Sequence, residues 1–141
     1  MKQFFLYSFL LAVYISACVK QNTPETPAND PVDTTAQVKF SGVFINGPYG
    51  RVSGTVKVKL SADQVYSLVL QDMNITNGPD LHVYLSREVQ PVNFIDLGKL
   101  KSVSGTQVYA IQGSPDFVQY KYALVHCQQF NHLFGSAELK P

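Results

Sequence analysis

Across residues 51–60 the chain alternates, with Val52, Val56, Val58 and Leu60 on one parity and Lys57 and Lys59 on the other. A hydrophobic period of two belongs to a strand with one face buried and one wet. Other β-like runs occupy residues 38–45, 65–73, 81–86, 94–97, 106–111, 121–128 and 131–139, with 81–86 again alternating and the last read as a final strand or a bulged extension of the one before it. Turn-forming stretches divide these runs: Asn46-Gly47-Pro48-Tyr49-Gly50, Ser61-Ala62-Asp63, Asn77-Gly78-Pro79-Asp80 and Ser104-Gly105. Residues 65–73, apolar on both parities around Tyr66, Leu68 and Leu70, predict a central strand. Ser114-Pro115-Asp116 predicts one helical turn through Tyr120, because Ser before Pro suits a helix start. No segment sustains a 3.6-residue apolar period over helix length, and no fixed repeat is present. The pattern predicts an all-β fold, an antiparallel β-sandwich or flattened barrel of about eight strands.

A chain of 141 residues suits one such domain with attachments. Its formal charge is +1 and no basic stripe interleaves with aromatic residues, which excludes a nucleic-acid partner. Eight Tyr and nine Phe reinforce the strand reading.

The amino terminus reads as an address. Lys2 precedes an apolar run over residues 4–15, shorter than the roughly 20 residues a transmembrane helix needs. The run ends in Ile15-Ser16-Ala17-Cys18, which resembles the bacterial lipobox. That resemblance implies a signal peptide over residues 1–17 and lipidation of Cys18. At about 0.8 kcal/mol per buried CH₂, several acyl chains would hold the chain to a membrane. Val19, where Asp is associated with inner-membrane retention, points to the outer membrane of a bacterial cell envelope. Residues 18–37 hold Pro24, Pro27 and Pro31 among polar residues and no aromatic, and they read as a flexible tether of roughly 25 Å. Residues 38–141 form the expected domain.

Several motifs within that domain fit one pattern. They are Gly42-x-Phe44, Val52-Ser53-Gly54-Thr55-Val56 and the block Gly78-Pro79-Asp80-Leu81-His82-Val83-Tyr84-Leu85-Ser86. Leu97-Gly98-Lys99-Leu100-Lys101, Ser104-Gly105-x-Gln107-x-Tyr109 and Cys127-x-x-Phe130-x-x-Leu133-Phe134-Gly135-x-Ala137-x-Leu139 complete it. Together they resemble the DM13 domain over about residues 40–139. The resemblance implies an electron-transfer role in a small secreted or lipid-anchored protein, with the family's characteristic cysteine falling on Cys127.

Cys127 stands between His126 and His132, and three readings are open for it. It shares parity with Ala123 and Val125, so it faces inward, as a plain core cysteine would. It is also a candidate redox thiol, although the absence of Cys-x-x-Cys excludes a self-contained dithiol cycle. Third, His82, Cys127 and His132 supply two imidazoles and a thiolate, the donor set of a blue-copper site. Haem on Cys127 or a histidine is a further option, without the Cys-x-x-Cys-His attachment motif. His126 alternates away from Cys127 and is not placed to act as its base, and no Gly-rich nucleophile turn supports a hydrolase. Asp80 is expected to bond the backbone of its own turn. Tyr109, Tyr120, Tyr122 and Phe130 are expected to pack in the core.

The resulting expectation is a membrane-anchored envelope domain with an electron-transfer or thiol-redox role centred on Cys127. It would act as a carrier for an envelope redox protein and not as a stand-alone enzyme. The alternatives are a non-catalytic binding or scaffold module and a copper-binding, cupredoxin-like protein.

Overall fold

The computed structural model describes residues 22–141, so the signal peptide and Cys18 lie outside the described residues. Ten strands form two sheets: β1 (Ala28–Asn29), β2 (Gln37–Val43), β3 (Ile45–Asn46), β4 (Val52–Leu60), β5 (Tyr66–Ile75), β6 (Leu81–Ser86), β7 (Phe94–Lys99), β8 (Ser104–Ile111), β9 (Tyr122–Cys127) and β10 (His132–Glu138). The first sheet has the order β1-β8-β5-β4-β2 and the second β3-β10-β9-β6-β7. Every pairing is antiparallel except that of β1 with β8. The sheets do not close on one another, so the architecture is a sandwich and not a barrel.

The eight predicted runs correspond to eight of these strands, and β5 is the centre of the first sheet. Sequence reading missed β1 and β3, each two residues long. Between the sheets, Val56, Val58, Leu68, Leu70 and Ile111 meet Leu81, Val83, Leu85, Ala123 and Val125 in one continuous core. A bulge between Leu133 and Gly135 turns Phe134 into that core. Gly135 is required there because a Cβ at this position would overlap the Val52 side chain.

Two local expectations need correction. Residues 117–119 form a hydrogen-bonded turn but no helix, and its cap is Asp116, not Ser114. The Asp116 carboxylate accepts from Val118 N at 3.0 Å and the Asp116 carbonyl accepts from Tyr120 N at 2.8 Å. The second correction concerns the proline-rich tether, which over residues 23–36 is a strap laid along the domain. Thr23 N donates to Gly78 O, Val103 N to Pro24 O, and Ser102 Oγ to Thr26 O. β1 then adds to the edge of β8, and the Lys59 ammonium donates to Asp33 O. The strap buries little apolar area, as its composition dictates. Instead, its backbone groups satisfy an edge strand that would otherwise stand open to water.

Gly105 makes this docking possible. Its φ is +94°, and any Cβ there would run into the Ala28 backbone. Among the described residues, no helix is long and apolar enough to cross a membrane.

Candidate functional site

Cys127 ends β9, where its cross-strand partners are Leu81 on β6 and His132 on β10. Its thiol is free and the residue is 1% exposed, inside the cluster that includes Leu81, Val125 and Phe134. The inward orientation expected from its parity with Val125 therefore holds.

At the adjacent cross-strand pair, one residue before Cys127 in β9 and one after Leu81 in β6, the side chains turn to the opposite face. His82 on β6 and His126 on β9 are direct cross-strand neighbours on the outer face of the second sheet. The pleat thus separates His82 from Cys127 by the thickness of the sheet. His132, although paired with Cys127, stacks its ring on Tyr49 at a centroid distance of 3.6 Å and an interplanar angle of 2°. The proposed copper set of His82, Cys127 and His132 is not brought together. Among the described residues, no group of three or more His, Cys, Asp or Glu side chains is arranged to hold a metal ion.

The outer face assembles a different group, centred on Tyr84. Its ring stacks on Phe94 at 4.3 Å and on His126 at 5.5 Å, and it meets His82 at 6.2 Å. The Gln128 amide donates to the Tyr84 hydroxyl at 3.4 Å. Burial first, then the Asp96 carboxylate, pushes the Tyr84 phenol above its ordinary pKa. His82 Nδ1 lies 2.9 Å from Asp96 Oδ2, and Asp96 is itself oriented by the Gly98 N–H at 2.8 Å. A carboxylate can only accept, so this contact places a proton on Nδ1 and leaves Nε2 3.5 Å from Asp80 Oδ1.

His126 is buried, and neither ring nitrogen has a partner with hydrogen-bond geometry. Burial, and next the neighbouring His132, lower its pKa below the usual imidazole value, opposed in part by the Asn131 side chain. His126 is therefore a poor proton acceptor and a ring held chiefly for packing and stacking.

Asp80 borders this group. Its carboxylate faces His82 Nε2 and the Lys99 ammonium at 4.0 Å, while Asn77 Oδ1 accepts the turn's Gly78 N–H at 2.7 Å. Tyr109, Tyr120 and Tyr122 pack as expected, but Phe130 is 55% exposed. The Tyr109 hydroxyl also donates to Gln107 Oε1 at 2.8 Å and accepts from Lys101 N at 3.0 Å.

Sequence reasoning missed Phe94, Asp96 and Gln128 as members of this group. The alternation of residues 81–86 already put His82 and Tyr84 on one face. The pairing of β6 with both β7 and β9, which supplies the other members, has no local signal in the chain.

No curated protein and no solved structure matches the chain. The family model described as "Electron transfer DM13" matches residues 44–139, well over half of the sequence, so this chain belongs to the DM13 family.

Proposed function

We propose that this protein is an electron-transfer module of the bacterial envelope, held to a membrane by lipid on Cys18, with Cys127 as its redox-responsive residue. Family membership supports the electron-transfer role. The geometry that favours it over thiol exchange is the burial of Cys127. A partner's disulfide must be attacked by an accessible thiolate, and a residue 1% exposed offers no such approach. Electron transfer over a distance does not require the partner to touch the sulfur. Phe94, 40% exposed, starts a run of ring contacts through Tyr84 to His126, the residue next to Cys127.

A binding or scaffold module is the second reading, favoured by the packing of Cys127 among Leu81, Val125 and Phe134. There, free cysteine behaves as a small hydrophobe. Voltammetry of the purified protein, with metal content and visible absorption recorded before and after adding Cu²⁺, separates the readings. A reversible wave that disappears in a folded Cys127→Ala variant supports the carrier. A wild-type protein with no wave, no metal and no copper-dependent band leaves the binding module.

A further inference from the structure

The strap along β8 does more than cover an edge, because it fixes where the chain leaves the domain. Thr23 is tied on both sides: its N–H and hydroxyl each donate to Gly78 O at 3.3 Å, and Asn77 Nδ2 donates to its carbonyl at 3.0 Å. Asn22 lines a cleft with Pro79, Asp80, Leu81, Lys99 and Leu100. Only residues 19–21 then separate Asn22 from Cys18. At 3.3–3.6 Å per residue, that length of chain spans at most about 14 Å.

The domain has two ends. The turns at 77–80 and 128–131 form one, joined by Gln128 N donating to Asp80 O at 2.9 Å. The loops at 61–65, 87–93 and 112–120 lie at the other, beyond the opposite termini of β4 to β9. Strands of 6 to 10 residues put roughly 20–34 Å between them.

We infer that the end of the sandwich formed by the 77–80 and 128–131 turns is seated against a lipid surface. This inference rests on lipidation of Cys18, proposed above, and adds an orientation that the anchor alone would not impose. A free tether of eighteen or so residues would let the domain tumble, whereas the docked strap reduces the slack to about four residues. The surface at this end suits the interface. Tyr49 and Phe130 are exposed there beside His132, and the Lys99 ammonium is exposed for anionic headgroups. Cys127 lies at the same end, so a partner that exchanges electrons with it approaches along the membrane plane.

The chain contains no tryptophan, so single-tryptophan reporters are unambiguous. Full-length Phe130→Trp and Val92→Trp, both at exposed sites, are expressed in a lipoprotein-processing bacterium. Each is then reconstituted into phosphatidylethanolamine–phosphatidylglycerol vesicles that carry a headgroup spin label. Fluorescence quenching is expected to be several-fold greater at residue 130 than at residue 92. Inserting about twenty Gly and Ser residues between Gln21 and Asn22 should bring the two reporters to similar, weak quenching. Equal or reversed quenching in protein that floats with vesicles and is released by Cys18→Ala overturns the orientation and leaves the anchor standing. Protein that never floats overturns the anchor, and the orientation with it.

Discussion

The two sheets of this sandwich treat their outer faces differently. In the first sheet β2 is mostly exposed, and β4 turns Lys57 outward to bond Gln71 at 2.8 Å while Val56 and Val58 are buried. That is the usual division of an antiparallel sheet into a wet face and a dry one. In the second sheet β6 is buried along its whole length and β9 over all but Tyr122. The outer face there carries His82, Tyr84, Leu124 and His126, a mixture of rings and aliphatic groups instead of solvated charges. A wet sheet face needs little from its neighbours. On this buried face Asp96 orients His82 and Gln128 orients the Tyr84 phenol, while His126 is held by ring stacking. The second sheet thus gathers the buried polar rings, and the first receives the strap.

The largest test of this contrast sets Tyr84→Ala against Lys57→Ala. Loss of the Tyr84 ring should cost about 3–5 kcal/mol, as for a core aromatic. The lysine change should stay within about 0.5 kcal/mol. Urea denaturation measures both, and similar values for the two would erase the distinction between the faces.

Gly135→Ala should come next, at about 1–3 kcal/mol, because its methyl must displace Val52. Cys127→Ala should cost only about 1 kcal/mol in thermal melts if the thiol contributes packing alone. A much larger loss would mean that Cys127 holds something more than its neighbours' side chains.

The smallest effects depend on pH and divide the sheets again. His126 has a lowered folded-state pKa, so both states are neutral and stability is full above the unfolded value of about 6.5. As pH falls below that value the unfolded chain takes up a proton that the folded chain resists, and stability declines. His126→Phe should flatten this slope in denaturation curves between about pH 6.5 and 5.

On the first sheet, Asp30 has a lowered pKa, caused first by its bond to Lys101 and then by the Val108 N–H. Its contribution is present above the unfolded value near 3.9 and is lost as pH falls through the lower folded value. Amide exchange at Val108, which donates to Asp30 Oδ2 at 2.9 Å, should quicken in that acid range and in Asp30→Asn at neutral pH. Unchanged exchange would show that Asp30 does not hold the strap.

How far the sequence could be read follows from these same elements. The eight longer strands are legible from local pattern, β4 and β6 by alternation and β5 by its continuous apolar run, and Cys127 faces inward for the same reason that Val125 does. β3 and β1 were invisible because a two-residue strand exists only through its partner. The strap has no signal in apolar content, because its ordering comes from hydrogen bonds to Gly78, Ser102 and Val103. The copper set failed at His82, whose parity relative to Cys127 depends on the register between β6 and β9, and no single run encodes that register.

The chain by itself determined an all-β domain, the side of β9 on which its cysteine lies, and the motifs of its family. Only the tertiary structure decided that Leu81, and not His82, lies opposite Cys127, that Tyr84 gathers Phe94 and His126, and that a polar proline-rich segment closes an edge. The physical reason is one of range. Alternation is imposed by the backbone residue by residue, whereas register, sheet order and edge capping arise from hydrogen bonds between segments that are distant in sequence.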